Sequence, residues 1–183
     1  ASSTTLPNSW GLTTGSTATG ASNVYLVKNN VTFTAFGSGH LAGWAWVSLP
    51  ALSTGTQRYT AQLSITPTAS SATTLNVNNS VGIRYTDNVL SGNWQLFSRD
   101  NAGSESTADS GVAVSANGLY LLRVYIDEAR SEARYYINDA FVGRITGNMP
   151  NAAACGVRFI ITKSVGTTAS SASVVNIGGA ATY

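Results

Sequence analysis

The stretch "GLYLLRVYIDEARSEARYYINDAFVGRITG", residues 118–147, decides the fold. Within 119–127 every second residue is apolar, the pattern of a half-buried β-strand, and these residues are Tyr120, Leu122, Val124 and Ile126. The polar run "DEARS" separates this strand from a second one at 133–138. The Asn-Asp pair at 138–139 then favours a reversal, because both side chains bond locally and tolerate left-handed backbone. The stretch therefore predicts a three-stranded meander.

The same alternation recurs along the chain from residue 23 onward. It predicts strands at 31–35, 43–49, 59–65, 81–86, 93–99, 119–127, 133–138, 140–145, 156–163 and 172–177. Gly, Asn, Ser, Thr and Asp clusters lie between them, and no window has a convincing helical stripe. The fold class is therefore predicted as all-β, an antiparallel β-sandwich formed by residues 23–183. Residues 1–22, rich in Ser, Thr and Gly, are predicted as an irregular N-terminal arm.

Composition excludes several classes of protein. The 183 residues suit one domain, and a 43% hydrophobic content argues against disorder. The net charge of +2 and the scattered arginines do not predict binding to nucleic acid. The chain has no run of 18 apolar residues, so no membrane span is predicted. The low charge favours a protein that works inside an assembly, and the small residue Ala1 suggests a complete short protein.

Four of the eight acidic residues cluster at Asp127, Glu128, Glu132 and Asp139. A glycoside hydrolase needs two carboxylates about 5–10 Å apart. No strand of this chain carries alternating acids of the laminarinase type. We therefore predict that these acids are solvated turn charges, that the chain has no catalytic residues and that it is not an enzyme.

Histidine and cysteine are too few for the common catalytic and metal sites. His40 is the only histidine and Cys155 the only cysteine. A Ser–His–Asp triad or a zinc site therefore has little support, and neither a metal nor a cofactor is predicted. His40 is expected in a glycine-bounded loop, and Cys155 is expected as a buried thiol because it alternates with apolar residues.

Tryptophans are the better candidates for ligand contact. Trp44, Trp46 and Trp94 could stack on a sugar. Both alternating faces of strand 43–49 are apolar, however, so this strand is predicted to be buried on both sides. That pattern favours core or subunit packing over an open glycan groove.

Six residues are candidates for contact with neighbouring subunits. Leu6 and Trp10 are large apolar groups of the arm, and a free arm has no need of a Trp. The arginines Arg84, Arg123, Arg134 and Arg158 each lie mid-strand opposite the apolar face. They are either ordinary outward charges or interface residues, since Arg is enriched at interfaces.

A resemblance to the concanavalin A-like (lectin/glucanase) jelly-roll domains of tailed-phage structural proteins covers roughly residues 23–177. It is carried by the runs "VGIRYTDN" (81–88), "GNWQLFSRDNAG" (92–103), "ARYYINDAFVGRIT" (133–146) and "MPN" (149–151) before "GVRFIITKSV" (156–165). The enzymatic members of this family carry acids that this chain lacks. The resemblance marks a fold and not an activity.

The resemblance implies two functions. The first is a capsid decoration (cement) protein on the virion surface, a homotrimer that binds the major capsid protein. The second is a receptor- or glycan-binding domain of a tail or head fibre, with carbohydrate as its partner. Neither function involves nucleic acid, a membrane or a cofactor.

Overall fold

The structure is a computed structural model that describes residues 9–26, 39–67, 74–86, 92–151 and 154–182. Twelve β-strands run through these ranges. They are β1 (Trp10–Thr13), β2 (Gly20–Leu26), β3 (His40–Ser48), β4 (Arg58–Pro67), β5 (Ser80–Thr86), β6 (Asn93–Arg99), β7 (Glu105–Ala113), β8 (Leu119–Ile126), β9 (Ala133–Ile137), β10 (Ala140–Ile145), β11 (Cys155–Val165) and β12 (Ser171–Thr182). Among these residues, no helix is long and apolar enough to span a bilayer.

The strands form two six-stranded antiparallel sheets packed face to face. Sheet A has the order β1-β12-β3-β8-β9-β10, and sheet B has the order β2-β11-β4-β5-β6-β7. The first two strands pair with the last two, β1 with β12 and β2 with β11. This arrangement confirms the predicted all-β sandwich.

The core lies between the two sheets. It is filled by every second residue of each strand, the one whose side chain points towards the other sheet. Sheet A contributes Ala45, Leu122 and Tyr135, and sheet B contributes Leu63, Ile83 and Phe159, each at most 1% exposed. Burying a large apolar side chain is worth about 1.5–3 kcal/mol. Cys155 is part of this core, as predicted.

The meander β8-β9-β10 has the two polar turns that the sequence predicts. In the first, the carboxylate of Asp127 accepts hydrogen bonds from the Ser131 hydroxyl and the Glu132 N–H. In the second, Asn138 and Asp139 have φ angles of 52° and 64°. Asn138 also accepts a hydrogen bond from the Leu121 N–H at 2.9 Å, which fixes the turn against β8.

The predicted irregular arm is a strand over much of its described part. Residues 10–13 form β1 and residues 20–26 form β2, where composition predicted irregular structure up to residue 22. Leu12 is only 6% exposed, and each strand completes the backbone ladder of a neighbour. The buried Lys163 ammonium donates to the carbonyls of Gly15 and Thr17, both at 2.7 Å, and so holds the connection.

Three of the described strands, β1, β2 and β7, have no counterpart among the predicted strand ranges. Each lies at an edge of its sheet. An edge strand is hydrogen-bonded to one neighbouring strand instead of two. In β7 no residue is buried. Its sequence "ESTADSGVA" therefore shows no apolar alternation. The predicted strand at 31–35 lies outside the described residues.

Candidate functional site

The outer face of sheet A, the side turned away from sheet B, holds an open cavity of about 770 Å³. It is centred on β3, β8 and β9. Since inward residues of these strands fill the core, the residues between them point outward. The principal lining side chains are Trp44, Arg123, Tyr125, Arg134, Tyr136 and Asp139.

The strand register arranges these side chains in two rows across the sheet. One row, here called the Trp44 row, consists of Gly178, Trp44, Arg123, Tyr136 and Phe141 on successive strands. The next row consists of Ala180, Ala42, Tyr125, Arg134 and Arg144. Side chains directly opposite each other have Cβ atoms about 4.5–5.5 Å apart. In the Trp44 row an arginine, Arg123, therefore has an aromatic residue on each side, Trp44 and Tyr136.

The indole of Trp44 is fixed by the glycine beneath it. A Cβ built on Gly178 would lie 2.4 Å from two atoms of the Trp44 ring, so the ring covers this glycine. At the other end of the row, the rings of Tyr136 and Phe141 meet edge to face with their centroids 5.6 Å apart. Phe141 is 57% exposed. The row is thus an aromatic surface open to solvent.

The prediction that strand 43–49 is buried on both sides is wrong for its outer side. Ala45 and Val47 are buried in the core, but Trp46 is 37% exposed and Trp44 lines the cavity. The neighbouring strand β12 places Gly178 opposite Trp44 and the exposed Asn176 opposite Trp46. No large side chain of β12 therefore covers the indole of Trp44.

The charged groups of this face form ion pairs. Arg123 pairs with Asp139 at 2.7 Å, and both side chains are at least half exposed. Glu132 pairs with Arg134 and, at 3.6 Å, with Arg144. The hydrogen bond with Glu132 raises the pKa of Arg134. The predicted turn acids thus lie at the turns, and two of them hold arginines of the outer face.

The other two predicted interface arginines lie on the opposite side of the sandwich, on sheet B. Arg84 donates to Gln95 at 2.6 Å and pairs with Glu105 at 2.7 Å, with its guanidinium 5.0 Å from the Phe97 ring centroid. Arg158 is 1% exposed and donates to the Thr74 carbonyl at 2.8 Å. Burial lowers its pKa. Because its side chain is buried, Arg158 offers no surface to a neighbouring subunit.

The remaining sequence candidates are scattered. Trp10 is 53% exposed on the edge strand β1, and Leu6 lies outside the described residues. Trp94 is fully buried in the core, so its assignment as a sugar-stacking residue is wrong. His40 begins β3 instead of lying in a loop, and it stacks on Tyr125 with ring centroids 5.5 Å apart.

Sequence reasoning missed Tyr125, Tyr136 and Phe141 as members of the outer face. The available signal was the alternation within each strand, which places Tyr125 beside Arg123 and Tyr136 beside Arg134 on outward positions. The register between strands, which aligns them into rows, was not readable. Within the described ranges, no three His, Cys, Asp or Glu side chains are grouped as a metal site would require.

Comparison with protein-family models and with curated proteins finds no match. Among solved structures, the alginate lyase AlyC3 is similar with a TM-score of 0.66 and 8% identity, over 94% of this chain and 75% of that one. The carbohydrate recognition domain of Emp47p has a TM-score of 0.59 and 11% identity, over 97% and 90%. A sialidase also matches at a TM-score of 0.59 and 11% identity, but this chain spans 15% of its length.

These similarities show the fold, a concanavalin A-like jelly-roll β-sandwich. They also show that the prediction of a non-enzymatic protein is wrong, because alginate lyases and a sialidase share this fold. The missing acid pattern excluded only one type of glycoside hydrolase. The phage origin, the capsid partner and the homotrimer remain predictions.

Proposed function

We propose that this protein binds a carbohydrate on the outer face of sheet A. The observation that carries the proposal is the Trp44 row, in which Trp44 and Tyr136 flank Arg123 across three strands. Ligand sites are typically lined by apolar and aromatic side chains with a few polar groups that fix orientation. A sugar ring matches such a surface because it presents C–H groups on its faces and hydroxyl groups around its edge.

The dimensions of the cavity support this proposal. Its volume of about 770 Å³ lies within the range of about 300–1,000 Å³ that is usual for small-molecule sites. The site is also built on the central strands of a sheet, which hold side chains more precisely than loops do. The ring of Trp44 is ordered by its contact with Gly178, so less side-chain entropy is lost on binding.

The named functions of the structural neighbours are consistent with a carbohydrate ligand. They include an alginate lyase in complex with dimannuronate, at a TM-score of 0.63 and 6% identity, and the Emp47p carbohydrate recognition domain. At such low identity the likeness concerns the fold alone. The choice of ligand class therefore rests on the Trp44 row, with the neighbours as support.

A glycan array followed by calorimetry of the best ligand tests the proposal. Trp44→Ala and Tyr136→Ala should each weaken binding about tenfold or more, a loss of about 1.4 kcal/mol. Trp10→Ala is the control, since it removes an exposed indole that does not line the cavity. Failure of the array to show any binding, or equal losses from Trp10→Ala and Trp44→Ala, would contradict the proposal. Chromatography of the incubated polysaccharide determines whether it is also cleaved.

Capsid decoration is a second candidate, with the major capsid protein as partner and a homotrimer on the virion surface. The observation that favours it is the exposure of large apolar side chains on sheet A, with Trp10, Leu119 and Phe141 all at least 45% exposed. Aromatic side chains are enriched at protein–protein contacts relative to the rest of the surface. Sedimentation equilibrium measures the trimer, and cryo-electron microscopy of virions incubated with the protein would locate it on the capsid.

A further inference from the structure

The charges that line the cavity are unequal in sign. Two guanidinium groups, Arg123 and Arg134, face one carboxylate, Asp139. Other charged groups of this face lie at its rim, with Glu132 between Arg134 and Arg144, and with Asp127 bonded inside its own turn. Apart from Asp127, three arginines of this face therefore meet two carboxylates, and this small positive excess favours an anion.

Arg123 is the guanidinium best placed to meet a ligand. It lies mid-strand in β8, with Trp44 opposite on β3 and Tyr136 opposite on β9. A sugar ring lying on either aromatic side chain would bring a substituent of the ring within reach of Arg123. The planar guanidinium fork matches a carboxylate in bidentate geometry, which an ammonium group cannot reproduce.

Asp139, the ion-pair partner of Arg123, can be replaced by an anionic group of a ligand. Asp139 reaches it from the turn between β9 and β10, and the two side chains are 50% and 65% exposed. An ion pair as exposed as this contributes little to stability. Asp139 also follows Asn138 in a turn whose contact to β8 is made by Asn138 and not by Asp139. Releasing Arg123 from Asp139 therefore leaves the turn intact.

We propose that the cavity selects saccharides that carry a ring carboxylate, with Arg123 binding that carboxylate in place of Asp139. This inference rests on the proposed carbohydrate-binding function and adds the chemical class of the ligand. Asp139 acts as an internal competitor that occupies Arg123 in the free protein. Tyr136 and Trp44 supply the stacking surface for the same sugar unit.

The test compares uronate oligosaccharides with their methyl esters, which keep the sugar ring and remove the charge. Binding of the acid should be at least tenfold tighter than binding of its ester, and it should weaken as salt is raised. Arg123→Lys should lose at least fivefold in affinity for the acid, because one ammonium replaces the fork. Asp139→Asn should bind the acid at least threefold more tightly, and the ratio of acid affinity to ester affinity should rise.

Each outcome separates the two proposals. Equal affinity for acid and ester, or no effect of Asp139→Asn, overturns the carboxylate inference while carbohydrate binding stands. Binding of sulfated oligosaccharides with no binding of uronates also overturns it. If no saccharide binds, the proposed function itself fails. Thermal unfolding of both variants serves as the folding control, and the exposed positions of these side chains predict unchanged melting temperatures.

Discussion

Gly178 decides where the indole of Trp44 lies, because a side chain at this position would occupy the space of the ring. We expect Gly178→Val to displace Trp44 and to weaken carbohydrate binding about tenfold or more. Affinity measured by calorimetry, with thermal unfolding as the folding check, tests this expectation. Gly55→Val is the control, since a Cβ at Gly55 meets nothing within 4 Å. Unchanged affinity in a folded Gly178→Val protein would show that the position of Trp44 is not important for binding.

The tryptophans show what residue type alone can predict. Trp44 and Trp94 both lie in apolar strands, and the sequence offers both as sugar-stacking residues. In the structure Trp94 is buried between Tyr85 and Tyr120, whereas Trp44 lines the open cavity. The difference depends on which side of its sheet each residue occupies and on what covers that side. The sequence of each strand alone predicts neither the side of the sheet nor the residues that cover it.

At the scale of elements, the turn between β8 and β9 depends on a charged Asp127. Burial acts to raise the pKa of Asp127, but hydrogen bonds from Ser131 and Glu132 prevail and lower it. A lowered folded-state pKa stabilises the protein above the ordinary aspartate value of 3.8, and this stabilisation disappears as the pH falls through the folded-state value. Asp127→Asn should therefore be less stable than wild type at pH 6, and this difference should shrink towards pH 2.

Urea unfolding at a series of pH values measures the Asp127 effect. The control is Glu128→Gln, which removes an exposed charge from the same turn and should differ little from wild type throughout. A difference between wild type and Asp127→Asn that stays constant down to pH 2 would show that the carboxylate charge does not stabilise the turn.

The elements that sequence predicts are the central strands and the meander. Strand 93–99 was predicted with the same bounds as β6, since its inward residues are apolar. The strands with no predicted counterpart, β1, β2 and β7, lie at sheet edges, where little side-chain burial is needed. The candidate site was predicted only in pieces, because Trp44, Arg123 and Tyr136 come from three strands. Their alignment depends on register, which the turns and core packing set together.

Across the described parts of the molecule, several groups that ionise at high pH are buried or half-buried. Burial raises the pKa of Tyr25 to about 12 despite the opposing charge of Arg158, and it raises the pKa of the Cys155 thiol to about 12. Burial also raises the pKa of Tyr59 and Tyr135. Such groups must stay protonated in the folded state, so their contribution is complete below their unfolded-state pKa values and declines as pH rises above them.

The free energy of unfolding should therefore fall between about pH 9 and pH 11, and urea unfolding across this interval measures it. Tyr135→Phe should flatten this dependence, because it removes a buried phenol. It should also lower stability at neutral pH by about 1 kcal/mol, since the Tyr135 hydroxyl donates to the Phe97 carbonyl at 2.8 Å. An alkaline profile identical to that of wild type would contradict a contribution of Tyr135 to this pH dependence.

The fold of the molecule allows several activities. The absence of the acid pattern of one enzyme class therefore does not determine which activity this chain has. Alginate lyases, a sialidase and the Emp47p carbohydrate recognition domain share this sandwich at 11% identity or less. Fold alone therefore does not select a function, and the side chains on its surfaces must. In this chain the Trp44 row is the surface whose chemistry fits a ligand best.

Crystallography or an NMR titration with the best-binding oligosaccharide is the most direct test of carbohydrate binding on the outer face of sheet A. The sugar should lie on the rings of Trp44 and Tyr136, or shift perturbations should centre on β3, β8 and β9. A ligand bound on sheet B, near Arg84 or Arg158, with the Trp44 row unperturbed would contradict the account.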